Sequence, residues 1–454
     1  MIQSTILAQL TEYQHQQPEV KRWLLGLSGG VDSTVLLHAL VAANQQLPNP
    51  YPIVALHINH QLSPQAADWE QHCRDYTQQL GVDYISETVI VQSQGKGVEA
   101  AARDARYQIF QKQLQAHDCL LLGHHQQDQA ETLLLRLFRG AGVRGLAAMP
   151  SHRALGKGSL LRPLLGITRE AIEAYAREHQ LQWVDDPSND SNDFDRNLLR
   201  NTLLPQLRQR WPQVDNTLAD TSERMQHTEQ LLVELAEQDL KSLDLQPARW
   251  GRSITLKPLQ SFSFARIANL LRHWCRLSGY PVPEAEHLQH IQTQFFSRQA
   301  KLSSACVSWS KIQLRQFAGR LYLMPELPPF QGGDTTMEWH TNSPLDLKTA
   351  GQLQPLSADE NSSILFPSLL LTAGDYTIRW RQGGERCTPV GRQHSQTVKK
   401  LLQEYQLETW LRDRVPLIYR DKTLIAVGDL WKNSEELDIE SQTKNKTIAF
   451  NWVM

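Results

Sequence analysis

Residues 24–34 read Leu24-Leu-Gly-Leu-Ser-Gly-Gly-Val-Asp-Ser-Thr34, and the fold turns on them. An apolar run ending at Gly26 and Leu27 predicts a buried strand. Ser28, Gly29 and Gly30 then permit a tight bend, because glycine adopts backbone angles that a Cβ disfavours. Asp32, Ser33 and Thr34 open a helix that continues with the apolar Val35, Leu36 and Leu37. Backbone N–H groups gathered at a helix start attract phosphate. No lysine follows the glycines, so the loop is not of the Walker type. A plain glycine turn, with Asp32 as a helix-start residue, accounts for the same letters without any ligand.

Working outward, apolar runs at 21–28, 51–59, 83–91 and 118–123 alternate with helical periods at 32–46, 66–80 and 97–116. This alternation predicts an α/β fold, with an N-terminal, doubly wound parallel sheet of Rossmann-like form covered on both faces. Ligands of such sheets sit beyond the carboxyl ends of the strands. Ser28–Ser33, His57–His60 and His124–Asp128 all fall there. A helix at 128–139, a glycine-broken loop at 139–145, a strand at 160–165 and a helix at 168–180 follow. The expected domains are a nucleotide-binding unit (1–213), a connector helix with a small α+β unit (214–325) and a mixed α/β C-terminal unit (369–454). Residues 326–368, rich in Pro, Gly and Ser, read as a linker between the last two.

At 454 residues the chain exceeds one ordinary core. Its 41% hydrophobic and 21% charged content is that of a globular protein, and no apolar run reaches the length of a membrane span. A cytoplasmic protein with no membrane partner is the expectation. Cys73, Cys119, Cys275, Cys306 and Cys387 are scattered and form no Cys-x-x-Cys pair, which argues against a zinc or dithiol motif. The net charge of −2 hides a local excess: residues 379–422 hold ten Lys/Arg against five Asp/Glu. A local basic surface of this kind suits nucleic acid.

Gly123-His-His-Gln-Gln-Asp-Gln-Ala-Glu-Thr132 leaves the fourth strand for a helix. Asp128 and Glu131, three apart, share a helix face. Beside a triphosphate, two acids can hold magnesium, orient an amine or take its proton; acids also favour any helix start. His124 and His125 point apart on extended backbone and lack a third ligand, so contacts to nucleotide or backbone fit better than zinc. His57 allows either a nucleotide contact or a bond to a loop carbonyl. Glu99, Arg103, Arg106 and Tyr107 form one helical stripe, open to an ion pair or to phosphate. Arg196 and Arg200, one turn apart, suit charge building at an α-phosphate, or pairing with Asp185, Asp186 or Asp193. In the basic C-terminal unit, Arg386, Lys399, Lys400, Arg412 and Arg414 lie in segments that include Trp410, a mix suited to phosphates and an exposed base.

The segment SGGVDS resembles the pyrophosphate loop of PP-loop enzymes, which split ATP into AMP and pyrophosphate. Taken with LHINHQL, EAAARDARY, LLGHHQQDQAETLLLRLFRGAG, the DPSN loop, RNLLRN and the ending GGERCTPVGRQHSQTVKKLLQEYQLETWLRDRVPLIY, it resembles the tRNA(Ile)-lysidine synthetases in their longer, three-domain form. One departure is Gln127, where relatives often carry an acid. The resemblance implies adenylation of the wobble cytidine of the CAU-anticodon isoleucine tRNA, then attack by free L-lysine. It implies ATP and Mg²⁺ as cofactors. Ser28, Gly29, Gly30, Val31, Asp32 and Ser33 would hold ATP, Asp128, Glu131 and Arg196 would act in catalysis, and Asp32 and Asp128 would take the metal. Contacts to nucleotide would fall to His57 and His125. Contacts to tRNA would fall to Arg103, Arg106 and the C-terminal cations. The rival is a tRNA thiolase on the same core, which needs reactive cysteines that no motif here supplies. Oligomeric state stays open, a homodimer included.

Overall fold

The computed structural model describes residues 1–61, 63–90, 98–187, 191, 194–296, 305–330, 332–356, 368–434 and 447–454. Its contacts divide the chain into two compact units, Met1–Leu231 and Leu232–Met454.

The first unit runs α1 (Ile2–Gln16), β1 (Arg22–Gly26), α2 (Val31–Asn44), β2 (Ile53–Asn59), α3 (Ala66–Gln79), β3 (Asp83–Thr88), α4 (Val98–Gln113) and β4 (Asp118–Leu121). Then come α5 (Gln126–Phe138), α6 (Val143–Leu146), β5 (His152–Leu155), β6 (Gly158–Leu161), α7 (Arg169–Glu178) and α8 (Asp195–Leu198). The strands form one sheet in the order β3-β2-β1-β4-β6-β5, parallel except for β5, which pairs antiparallel with β6. Buried on both faces, inner strands of this kind read as unbroken apolar runs. Alternate residues of β1 feed opposite layers: Trp23 and Leu25 pack with α1, α2 and α7, whereas Leu24 packs with Phe110 and Leu114. The doubly wound sheet is therefore as expected.

The strand order changes direction between β1 and β4, and a crevice opens there at the carboxyl ends. The two loops that leave these strands touch. A Cβ on Gly123 would lie 3.1 Å from the backbone carbonyl of Asp32, so glycine lets the β4 loop press on the start of α2. The segment after Gly140 is more ordered than a loose loop: Arg136 donates to the carbonyls of Gly145 (3.0 Å) and Ala148 (2.8 Å) and holds the α6 turn against α5.

The boundary between the units falls inside the helix Val214–Ser242, whose first half docks through Gln226 on the carbonyls of Ala147 and Met149. The second unit begins with a five-stranded sheet packed on Phe264–Leu277, with Trp274 fully buried. Beyond Pro325 the linker expectation is corrected. Strands Met337–His340 and Gln352–Pro355 belong to the C-terminal sheets, and Trp339, Leu347 and Leu353 lie in the same core as Tyr376 and Trp452. Long-range pairing, Trp339 with Tyr376 and Leu353 with Trp452, builds these short strands. Residues 357–367 of that stretch lie outside the described residues. Arg249 bonds both oxygens of Asp429 and the carbonyl of Trp452, while Trp410 stacks edge-on against Tyr322. The two sheet systems of this unit are thereby joined. Among the described residues no helix is long and apolar enough to cross a membrane.

Candidate active site

The bend after β1 is fixed by its own side chains. Gly29 sits at φ +86°, a region that favours glycine. The Ser33 hydroxyl donates to the Gly30 carbonyl at 3.0 Å and accepts from the Ser28 amide at 3.2 Å, and Ser28 Oγ lies 3.1 Å from it. Val184 N–H donates to the Gly29 carbonyl at 2.9 Å. Val31 is buried, and no side chain caps the start of α2. The loop is thus rigid with its first amides uncapped, as a phosphate cradle requires.

Asp32 projects from the first turn of α2 and accepts from Arg169 on both oxygens, at 3.1 and 3.0 Å. Burial pushes its carboxyl above the usual range, against the pull of His125 and Arg169. Arg169, unassigned from the sequence, enters from the start of α7; its only sequence signal is that it follows a strand's carboxyl end.

His125 caps α5. Its Nδ1 accepts from the Gln127 amide at 3.2 Å and its own N–H donates to Asp128 at 2.9 Å. An accepting Nδ1 leaves the proton on Nε2. That Nε2 lies 3.8 Å from Asp32 and 3.5 Å from Asp128, so one buried ring bridges the phosphate loop and the acidic helix.

Asp128 and Glu131 meet Arg196 and Arg200 in one cluster. Glu131 has no exposed surface and bonds Arg200 Nε and Arg196 Nε, each at 2.7 Å. Asp128 takes Arg196 at 2.8 Å and Arg200 at 3.2 Å. Burial would raise the Asp128 carboxyl, but His125 and Arg196 outweigh it and hold it well below the carboxylate range. Hydrogen bonds and charge from Glu131 raise Arg200 against the desolvation that would lower it. The arginines come from α8 and a π-helical turn, Leu199–Leu203, a form that recurs at functional sites.

Both oxygens of Glu131 face guanidinium groups, which places Glu131 to align the two arginines. Asp128, held ionised, is a weak base. Arg196 also gains partners on α5 that the sequence did not name; of the acids first considered for it, Asp193 lies outside the described residues. His124 is half-buried, and desolvation of its ring pushes it down to about 3. His57 holds the Leu27 carbonyl at 2.9 Å, a structural bond beneath the loop. No group of three or more metal-ligating side chains occurs among the described residues. Asp32 with Asp128 nonetheless fits magnesium, which needs only one or two carboxylates beside substrate phosphates.

Arg103 is exposed over the Tyr107 ring at 5.8 Å, Arg106 is half-buried on the same helix, and the side chain of Glu99 lies outside the described residues. In the second unit Lys399 and Lys400 are exposed, with Lys400 3.9 Å from Glu404. Exposed Arg386 holds the Ser395 carbonyl at 2.7 Å, and half-buried Arg412 lies over Phe317 at 5.7 Å. Arg414 differs from these cations: it is only 6% exposed and donates to the carbonyls of Thr349 and Pro328, so it braces the C-terminal core and offers tRNA little surface. Burial pushes the Cys73 and Cys275 thiols up to about 12 and Cys119 to about 11, which leaves no reactive sulfur among them.

A parallel sheet with this loop at its switch point defines a PP-loop ATP-using enzyme, and residues 2–207 match the PP-loop domain family. Residues 255–322 match the TilS substrate binding domain and 376–452 the TilS substrate C-terminal domain. The chain is 40% identical over 404 residues to the tRNA(Ile)-lysidine synthase of Coxiella burnetii, covering 89% of this chain and 87% of that one. It is 40% identical over 418 residues to that of Pseudomonas fluorescens (90% and 89% covered) and 37% over 440 to that of Legionella pneumophila strain Lens (94% and 96%). The chain belongs to the tRNA(Ile)-lysidine synthase family.

Proposed function

We propose that this enzyme joins free lysine to the wobble cytidine of the isoleucine tRNA with anticodon CAU, in two steps on one site. In the first, the cytosine O2 attacks the α-phosphate of ATP, the bond to the β-phosphate breaks, and pyrophosphate leaves. In the second, the lysine ε-amine, having given its proton to water, attacks C2 and the C2–O bond breaks to release AMP.

The observation that carries this reading is His125, whose Nε2 lies 3.8 Å from Asp32 and 3.5 Å from Asp128. It sets the phosphate loop and the arginine–carboxylate cluster side by side. The amides at the start of α2 and the Ser28 and Ser33 hydroxyls take the departing pyrophosphate. Arg196 and Arg200, aligned by Glu131, bring positive charge to the α-phosphate, where charge grows in both steps. Asp128 stays ionised and offers the lysine ammonium an anchor. Asp32 with Asp128 would hold Mg²⁺, which would neutralise phosphate charge. An anticodon-loop base is already unpaired, so its presentation costs little beside flipping one from a duplex. Arg103, Arg106, Arg386, Lys399, Lys400 and Arg412 supply phosphate contacts to the tRNA.

The test mixes protein, ATP, labelled lysine and transcripts of the isoleucine and methionine tRNAs that share the CAU anticodon. Label on the isoleucine transcript alone, with one pyrophosphate released per lysine, is the expected result. Label on both transcripts, or on neither, overturns the reading.

A further inference from the structure

The end of α5 and the start of α8 expose large apolar side chains: Phe138 is 67% exposed, Leu137 49%, Leu198 41% and Phe194 37%. Single exposed apolar residues are ordinary, but several on neighbouring elements mark a contact surface. Two ties bring them together. Arg196 bonds Asp128 and Glu131 in the first half of α5, and Arg139 at its end meets Asp195 at 3.4 Å. Phe138 precedes the paired Arg139 and Phe194 precedes the paired Asp195, so the two rings sit at adjoining ends. Glu131 and Phe138 fall on one stripe of α5, about 10 Å apart along its axis at 1.5 Å per residue. Arg139 and Arg144 are exposed beside this surface, and the Arg136 bonds to Gly145 and Ala148 hold the turn carrying Arg144 against α5.

We propose that this surface is the platform on which the unpaired nucleotides flanking the modified cytidine stack. The inference rests on the tRNA reading of the site given above. A cytidine can enter the crevice only if it parts from its neighbours in the loop. Each parted neighbour exposes a π face, which a phenylalanine can cover whatever the base. Arg139 and Arg144 then meet the phosphates between them. A second copy of this chain fits the surface poorly, because a symmetric contact would bring the same arginines together. A polyanion with exposed rings satisfies both the apolar and the cationic parts.

The test uses the full-length protein and an isoleucine tRNA transcript with 2-aminopurine next to the wobble cytidine. Binding to the unaltered protein is expected to quench the fluorescence. Phe138→Ala is expected to abolish the quench and raise KM for tRNA about tenfold, with kcat little changed. Phe138→Leu, apolar but not aromatic, should lose the quench as well, and Phe138→Trp should restore it. Full quench and unchanged KM in Phe138→Ala, or in Phe138→Leu, overturn the proposal. So does a change in sedimentation with unchanged fluorescence, which would make a second copy the occupant. Quenching needs no turnover. A protein that quenches but transfers no lysine therefore keeps the platform and defeats the functional reading, whereas lysine transfer without a quench does the reverse.

Discussion

Glu131→Gln keeps the shape of the side chain and removes its charge from beneath two arginines. The change leaves Arg196 and Arg200 facing an amide that can accept on one atom only. Removing one partner of a buried ion pair costs about 3–5 kcal/mol. Here Asp128 still lies 2.8 Å from Arg196 and 3.2 Å from Arg200, and both guanidinium groups keep some contact with water. We therefore expect a loss of about 2–3 kcal/mol. For a unit of this size that lowers Tm by about 4–12 °C. Calorimetry reads the melting shift of the N-terminal unit, and a cycle with Arg200→Gln should show that the two losses are not additive. Kinetics supply the second readout. If Glu131 aligns arginines that stabilise the α-phosphate, tRNA-dependent pyrophosphate release and lysine transfer should slow by similar factors. Slowing of lysine transfer alone would restore Glu131 as the group that takes the amine's proton, and an unshifted Tm would remove the ion-pair cluster itself.

Asp32→Asn should abolish turnover yet raise Tm. Burial lifts the Asp32 carboxyl above its unfolded value, so the folded protein holds this proton more tightly and loses stability as pH rises through the folded value; a lower Tm at pH 7 would contradict the sign. Asp128 is shifted the opposite way. Its stabilisation is present above the unfolded carboxylate value and lost only as pH falls below it, so Asp128→Asn should cost stability at pH 7 and progressively less under acid, as urea titrations from pH 7 to 3 would record. Gly29→Ala places a Cβ at φ +86° and 3.1 Å from Cys73 Sγ. The backbone strain alone is about 1–2 kcal/mol, enough to weaken ATP binding about tenfold by calorimetry, and unaltered affinity would exclude the loop as the phosphate site. Lys399→Ala with Lys400→Ala should weaken tRNA binding and flatten its log–log salt slope by about 1.4–1.8; an unchanged slope would clear both residues of phosphate contact.

The first unit was legible because its inner strands are buried on both faces and its helices bury one. Leu24 and Leu25, feeding opposite layers, are the reason that stretch reads as a continuous apolar run. The edge strand His152–Leu155 was not legible, since only Leu155 of its four residues is buried. The strands between Pro325 and Pro355 escaped for a related reason. Trp339 is the one buried residue of Met337–His340, and its pairing with Tyr376 is set by distant chain. In the site, local spacing placed Asp128 and Glu131 on one face of α5 but could not name their partners. Arg196 and Arg200 lie more than sixty positions away (|i−j| from 65 to 72), and that meeting is a property of the packed unit. Arg414 sits among residues that do form basic surface, and only its depth in the core separates it from them.

The strand Thr447–Val453 lies between Gln352–Pro355 and Leu369–Thr372 in its four-stranded sheet, an inner place taken by a late segment. On the ribosome, both neighbours emerge long before it does. They must wait with open edges, and such edges invite pairing with other chains. Completion of this sheet thus waits for residues 447–453, and nascent chains halted before residue 447 are the species most in need of a chaperone.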